Sequence, residues 1–426
     1  MGIFDGKRFF VYGNGASGRS AARAIKKHGG KAKIYTDDGG RFVAPKDGAY
    51  DGAVISPGVR PNHAVYGYCA ERGIPTVGEA EIGLSIAKSS GRITVGVTGT
   101  NGKTTTTKLI ADMLGGVACG NIGYPVSAAA CEKSTAPIVC ELSSFQLYRA
   151  TLKLDVAVIT NMASDHADWH GGIENYHAAK CNIAANMDGG YLVLGEDIPI
   201  RSLNMLKTKA HIVWCSSTAP TDGAYVQNGY FCFNGNRVCP VDYLRLSGAH
   251  NIKNALCAIG AAKCLNADNA AILGAMSGAV ASPHRNEVVG RASGKLWIDD
   301  SKGTNVSASL AAVEQTVGTV CLILGGRGKD TDFGELFSAL SPRVTSIVAM
   351  GETAQAVRDS AIRFCPELAV TVVNGLSDAV RAAAAADAET VLLSPACASF
   401  DEFKSYAQRG DRFKAEVHAL MKQEQK

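Results

Sequence analysis

The stretch Val95-Gly96-Val97-Thr98-Gly99-Thr100-Asn101-Gly102-Lys103-Thr104-Thr105 carries the residue types that hold phosphate. Backbone N–H groups of a glycine-broken loop and of the helix start that follows point at anionic oxygens. Lys103 adds a point charge, and the Thr104 hydroxyl is a hard oxygen ligand for Mg²⁺. The match to G-x-x-x-x-G-K-[ST] is imperfect. Val97 stands where the first glycine belongs, and the glycines sit at Gly96 and Gly99. Further chemistry lies at the ends of apolar runs. Pro137-Ile138-Val139-Cys140 runs into Glu141, and Val156-Ala157-Val158-Ile159 runs into Thr160-Asn161-Met162-Ala163-Ser164-Asp165-His166. A lone glutamate or histidine at such a place is usually a cap or a turn. A carboxylate and an imidazole sharing one edge with a phosphate loop suit Mg²⁺-dependent phosphate chemistry.

The elements that must position these residues are strands alternating with helices. Ile93–Val97 reads as a buried strand and Thr104–Leu114 as a helix. In an open parallel sheet the carboxyl ends of the strands share one edge, where ligands bind. Upstream, the strand Arg8–Tyr12 leads into Gly13-Asn14-Gly15-Ala16-Ser17-Gly18, a complete G-x-G-x-x-G, followed by an Ala-rich helix. The next strand ends at Asp37 and Asp38, about where a dinucleotide-binding unit places a ribose acceptor; either acid alone is as well read as a solvated turn. Ala53-Val54-Ile55 ends in Ser56-Pro57-Gly58.

Downstream, the helix Ile173–Ala185 carries Lys180, which by spacing is a surface lysine, and His170 and His177 read as surface polar residues. Tyr230–Val238 reads as a hairpin with an Asn234-Gly235 turn. His250 and Asn251 open a long Ala-rich helix, with Asn251 as its cap. A boundary falls near Ser282-Pro283. Three more polar-ended strands follow, leading into Asp299-Asp300, Gly325-Gly326 and Ser394-Pro395. The Ala run Arg381–Ala388 and the tail Phe403–Gln425 read as helices, and Cys397 as a small buried residue at a turn. This is α/β architecture throughout, in domains 1–90, 91–281 and 282–426.

Bulk properties narrow the classes. A chain of 426 residues suggests about three domains. It is 46% hydrophobic and 19% charged with a formal charge of +4, and its Lys and Arg are scattered, so no nucleic-acid or polybasic membrane patch is expected. The thirteen cysteines contain no C-x-x-C pair and read as reduced thiols. No apolar leader or membrane-length apolar run occurs, so a cytoplasmic, soluble protein is expected; a monomer is the expected state.

The variant loop Gly99-Thr100-Asn101-Gly102-Lys103-Thr104 resembles the signature of the Mur ligase family. So do Asn121-Ile122-Gly123, Glu141-Leu142-Ser143-Ser144-Phe145-Gln146-Leu147, His250-Asn251-Ile252-Lys253-Asn254, Pro283-His284-Arg285, Asp300-Ser301-Lys302-Gly303-Thr304-Asn305 and Ser394-Pro395-Ala396-Cys397-Ala398-Ser399. The resemblance spans essentially the whole chain. It implies an ATP-dependent amide ligase with a Rossmann-like UDP-binding domain, a central P-loop domain and a C-terminal Rossmann-like domain. The implied reaction joins D-glutamate to UDP-N-acetylmuramoyl-L-alanine through an acyl phosphate, a step of peptidoglycan synthesis.

The same resemblance implies roles. Gly99, Thr100, Asn101, Gly102, Lys103, Thr104, Thr105, Asn251, Asn254, Arg285 and Asp300 would bind ATP. Thr104 and Glu141 would hold one Mg²⁺, and His166 with Lys180 a second; Lys180 would be carbamylated, against its reading as a surface residue. Lys103, His166 and Lys180 would be the catalytic groups. Gly15, Ser17, Thr36, Ser56, Asn121 and His166 would contact the UDP substrate. Lys302, Thr304, Lys329, Ser399 and Tyr406 would bind D-glutamate. The last domain would close when ATP binds. The rival readings are a nicotinamide oxidoreductase built on Gly13–Gly18, a ligase for another amino acid or a folate, and a UDP-sugar binding protein without catalysis.

Overall fold

The computed structural model describes residues 2–45, 49–280, 283–328 and 333–424. Two compact units form, residues 1–279 and residues 280–426.

The first unit holds two sheets. Four parallel strands run in the order Lys31–Tyr35, Arg8–Tyr12, Gly52–Ile55, Thr76–Val77. The second sheet has nine strands. Its parallel part runs Val117–Gly120, Ile138–Glu141, Thr94–Thr98, Val156–Asn161, Tyr191–Asp197, His211–Ser216 and Gly223–Gln227. An antiparallel extension, Tyr230–Phe233 and Asn236–Pro240, closes one edge. Its turn is the Asn-Gly pair: Asn234 and Gly235 take φ of 45° and 83°, the left-handed pair of a tight hairpin.

Strand alternation decides what each face buries. Cys140, Ala157, Ile159, Leu192 and Leu194 share a core with the helices Glu79–Ser89 and Val126–Ala130 and with Val11 and Val54 of the first sheet. Their neighbours Val139, Val156, Val158 and Val193 pack the opposite face against the helices Lys103–Leu114, Ala249–Cys264 and Asn269–Gly278. Both faces are covered, which is why these strands read as continuous apolar runs. The phosphate loop therefore leaves a strand locked on both sides and enters a helix anchored to the same sheet.

The second unit has six strands, ordered Glu287–Ala292, Lys295–Asp299, Thr390–Leu393, Val320–Gly325, Val344–Met350, Ala369–Val372. Only the first pair is antiparallel. The helix of the Ala run spans Leu376–Ala385, and Ala386 already has extended backbone, so the run ends sooner than its composition suggests. The C-terminal helix is Tyr406–Glu424; it buries Arg409, Gly410, Phe413 and Val417, with Phe413 against Trp297 at 5.9 Å between ring centroids. Cys397 is fully buried, as its reading at a turn requires.

Candidate active site

The loop between Thr98 and Lys103 is held by its neighbour strand. Asn161 Oδ1 accepts from the Asn101 N–H at 2.9 Å, and Asn161 Nδ2 and Thr160 Oγ1 both donate to the Asn101 carbonyl, at 3.0 and 2.6 Å. Gly102 caps the helix with φ 78°, and a Cβ there would lie 1.9 Å from Asn254 Oδ1. A Cβ on Gly99 would lie 1.9 Å from Thr160 Oγ1. These two glycines let the backbone approach its supports, leaving the loop N–H groups and the helix start as an anion cradle. Lys103 Nζ donates to the carbonyls of Gly99 and Thr100, at 2.9 and 2.7 Å.

A polar chain runs off this cradle. Thr104 Oγ1 donates to Glu141 Oε2 at 2.6 Å, and Asn121 Nδ2 to Glu141 Oε1 at 2.9 Å. Register places Val97 and Gly120 beside Glu141 on either side, which brings the three residues to one edge. A buried carboxylate beside a hydroxyl at a phosphate loop is a fitting donor set for Mg²⁺.

The structure overturns the surface reading of Lys180. The side chain is 1% exposed. Its Nζ donates to the Gly99 carbonyl at 2.7 Å and lies 4.4 Å from the Tyr176 ring centroid. Burial, and then the nearby Lys103 charge, push this amine far below the usual lysine range. The helix Ile173–Cys181 buries Tyr176, His177 and Lys180 on the face towards the loop, while Glu174 and Asn175 stay exposed. His177 is buried on the same helix face, and His170 at the end of the short helix Ala167–His170: His170 Nε2 meets Ser144 Oγ at 3.0 Å and His177 Nδ1 meets Ser202 Oγ at 2.8 Å. Asn251 is not the helix cap. Gly248 is, and Asn251 Nδ2 donates back to the Ser247 carbonyl at 2.7 Å and Oδ1 accepts from Asn254 at 3.2 Å. Thr105 follows Thr104 in the first helical turn.

His166 sits at the end of its strand's exit loop with φ 51°, a left-handed conformation uncommon outside glycine. Its Nδ1 lies 3.6 Å from Asp165 Oδ1 and its ring 4.7 Å from that of Phe145. Asp165 and Tyr176 were not assigned roles from the sequence. The Asp165 charge favours the protonated Lys180 amine, against burial and Lys103, and the Tyr176 hydroxyl donates to Thr100 Oγ1 at 3.2 Å. Tyr176 lies one helical turn before Lys180, and that spacing was the signal available.

In the first sheet Gly15 caps the helix Ala16–Lys27 and Ser17 lies in its first turn, half-buried, while Thr36 is exposed at the end of Lys31–Tyr35. Ser56 Oγ is buried with no hydrogen-bond partner among the described residues, 2.4 Å from where a Gly13 Cβ would be. An orphan hydroxyl in a glycine turn fits a diphosphate. Beside it, a cleft is lined by Ser56, Pro57, Tyr66, Phe145, Gln146 and Arg149, with the Arg149 guanidinium 4.6 Å from the Tyr66 ring centroid. Arg149 had no sequence signal. Asp37 is exposed but not unpartnered: it accepts from the Tyr12 hydroxyl and faces His63 Nε2 at 3.1 Å, and the Tyr12 bond leads the contacts that hold its carboxyl below the usual range.

In the second unit, Arg285 Nε is buried with no partner among the described residues. Asp300 accepts from Ser394 Oγ at 2.6 Å and from the Asn286 N–H at 3.3 Å, and burial pushes its carboxyl up to about 7. His284 Nδ1 meets Asp299 Oδ2 at 2.7 Å. His284, Asp299 and Glu287 offer ligand atoms within 4.8 Å of one another, but Lys414 Nζ already neutralises Glu287 at 3.2 Å. Lys302 Nζ lies 5.0 Å from the Tyr406 ring centroid. Thr304 follows in the same loop, its N–H donating to the Lys302 carbonyl at 2.9 Å, and Ser399 is buried in the loop after Thr390–Leu393. Lys329 lies outside the described residues.

Residues 97–262 match the Mur ligase middle domain and residues 284–397 the Mur ligase glutamate ligase domain. A Pelotomaculum thermopropionicum protein named UDP-N-acetylmuramoylalanine--D-glutamate ligase is 34% identical over 98% of this chain and 99% of its own length. The chain belongs to the Mur ligase family. The Mur ligase of the same name from Latilactobacillus sakei is 39% identical over 84% of this chain and 80% of its own. Among solved Mur ligase structures, MurF from Acinetobacter baumannii aligns at a TM-score of 0.64 and 16% identity, covering 98% of this chain and 91% of that one. MurC from Thermotoga maritima aligns at 0.60 and 19% identity, covering 97% and 99%. At such identities these two carry the fold alone. Among the described residues no helix is long and apolar enough to cross a membrane.

Proposed function

We propose that this protein is an ATP-dependent amide ligase that joins D-glutamate to UDP-N-acetylmuramoyl-L-alanine in peptidoglycan synthesis. The observation that carries the chemistry is one connected constellation. Lys103 and Lys180 converge on the Gly99 carbonyl, and Thr104 next to Lys103 is bonded to Glu141. The near full-length relatives of that name support the substrate pair.

In this reading the L-alanine carboxylate attacks the γ-phosphate of ATP, ADP leaves, and an acyl phosphate forms. The amine of D-glutamate then attacks the acyl carbon, and phosphate leaves from the tetrahedral intermediate. The loop N–H groups and Lys103 offset repulsion between the anions, an electrostatic and positioning task. Thr104 and Glu141 would hold one Mg²⁺, and His166 with a carbamylated Lys180 a second; the ions supply further charge neutralisation at the phosphate oxygens. Carbamylation needs a neutral amine as nucleophile, and burial lowers the Lys180 amine towards that state. The attacking amine must lose a proton, and His166 is assigned as its acceptor through a nitrogen not engaged by metal.

Ser56, Gly15, Ser17, Thr36 and Asn121 are assigned to the UDP substrate, and Asn251 and Asn254 to the nucleotide. In the second unit Arg285 and Asp300 are assigned to ATP, and Lys302, Thr304, Lys329, Ser399 and Tyr406 to D-glutamate. The working form proposed is a cytoplasmic monomer. The test is phosphate release from ATP with UDP-N-acetylmuramoyl-L-alanine present and candidate amino acids added singly. Release with D-glutamate and not with the others is expected. Release that ignores the added amino acid sinks the reading.

A further inference from the structure

Arg409 is the second-largest fully buried side chain of the described residues, 1% exposed, and the reaction as derived above does not use it. Among the described residues its side-chain hydrogen bonds go to uncharged oxygens of two loops. Nε donates to Ser301 Oγ at 2.9 Å and Nη2 to the Ser301 carbonyl at 2.8 Å. Nη2 also donates to the Cys397 carbonyl at 3.1 Å, and Nη1 to that of Ala398 at 3.3 Å. Ser301 Oγ in turn donates to the Tyr406 carbonyl at 2.8 Å. Among the described residues no carboxylate lies within 4.0 Å of it, although the more distant charges of Asp401, Asp299 and Asp300 favour its charged form. Burying a cation without a paired carboxylate is expensive, and an apolar side chain of like volume would serve packing at least as well. What an apolar residue cannot supply is the rigid planar fork of donors.

The targets of that fork explain its place. Ser301 precedes Lys302, Ala398 precedes Ser399, and Tyr406 lies one turn before Arg409 on its own helix. We infer that Arg409 is a positioning residue for the amine donor: by tying Ser301, Cys397 and Ala398 together, its guanidinium sets Lys302, Ser399 and Tyr406 in register with one another. This rests on the assignment of those three residues to D-glutamate in the reading above. Arg409 reaches the amino acid only through them. Burial lowers its guanidinium to about 10, so the fork stays charged at neutral pH.

Arg409→Lys keeps the charge and loses the fork; Arg409→Met loses both. The full-length chain and both variants are compared by D-glutamate-dependent phosphate release, with ATP, UDP-N-acetylmuramoyl-L-alanine and D-glutamate each varied in turn. The KM for D-glutamate rises roughly tenfold or more in both variants. The other two KM values stay within about twofold, a split that general destabilisation would not produce. N-methylguanidinium added to Arg409→Ala restores part of the D-glutamate KM. An unchanged D-glutamate KM overturns the proposal, as do three KM values that move together. Loss of folding in every variant, seen by circular dichroism, shows a stabilising role instead and also overturns it. If the parent chain releases no phosphate with D-glutamate, the ligase reading has failed; an active parent with unselective variants means that only this inference has.

Discussion

Replacing Gly102 with alanine tests the close approach on which the phosphate cradle depends. Gly102 holds φ 78° at the start of the helix Lys103–Leu114. An alanine in that conformation costs about 1–2 kcal/mol from the clash of Cβ with the next carbonyl. Its Cβ would stand 1.9 Å from Asn254 Oδ1 and 2.8 Å from Asn254 Cγ, so Asn254 must swing away. Asn254 is 4% exposed, so its displaced amide must press on packed neighbours. The swing breaks its 3.2 Å bond to Asn251, about 0.5–1.5 kcal/mol, and overpacks the site by about 1–3 kcal/mol. The sum is about 2.5–6.5 kcal/mol. Gly115, at the other end of the same helix, is the control: φ is 58° and nothing lies within 4 Å of its Cβ position. Gly115→Ala should cost about 1–2 kcal/mol alone. Urea unfolding of the two variants followed by circular dichroism gives the difference, and a fluorescent ATP analogue reports the displaced Asn254 as a roughly tenfold or greater loss of affinity. Equal destabilisation by the two substitutions, with nucleotide affinity intact in Gly102→Ala, would refute the close approach.

Thr104→Val keeps the shape and removes the hydroxyl bonded to Glu141, so phosphate release should fall by roughly 10–100-fold and need more Mg²⁺; a magnesium titration that superimposes on the parent's counts against the metal assignment. Removal of carbon dioxide and bicarbonate should lower activity reversibly, and isotopically labelled bicarbonate should give a carbamate NMR signal that Lys180→Arg lacks; a signal surviving in that variant assigns it elsewhere. Asp300 is held up to about 7 by burial, so its protonated form is favoured by folding. Its stabilising contribution is full below about pH 4, where the unfolded carboxyl is also protonated, and is lost as pH rises through about 7. Asp300→Asn should therefore flatten stability between those limits and raise it above pH 7, by as much as about 4 kcal/mol; a pH–stability curve parallel to the parent's would refute this.

The chain's order of strands and helices, its phosphate loop and the edge that gathers Glu141 and His166 were legible in sequence, because they depend on local patterns. Apolar runs with both faces covered mark central parallel strands, and the Asn-Gly pair marks its hairpin whatever packs around it. The inside and outside of helices were less legible. Lys180 and His177 look like surface residues because their helix has polar residues on several sides, and His170 because it ends a short helix of its own. One face of the helix Ile173–Cys181 is buried against the phosphate loop, and no periodicity records which element lies above a helix. Asn251 looked like a cap because asparagine suits one, yet Gly248 ends the helix three residues earlier and frees Asn251 to meet Asn254.

By itself, then, the sequence determined the architecture and singled out the loop proposed to bind phosphate, since strand periodicity and loop chemistry are encoded within short stretches. Only the tertiary structure decided which charges are buried, Lys180 on the Gly99 carbonyl and Arg409 forked between two loops, and which partners an exposed one such as Asp37 finds in Tyr12 and His63. Those contacts join residues far apart in the chain. Their energies come from desolvation and from hydrogen bonds that exist only once distant strands and helices have met.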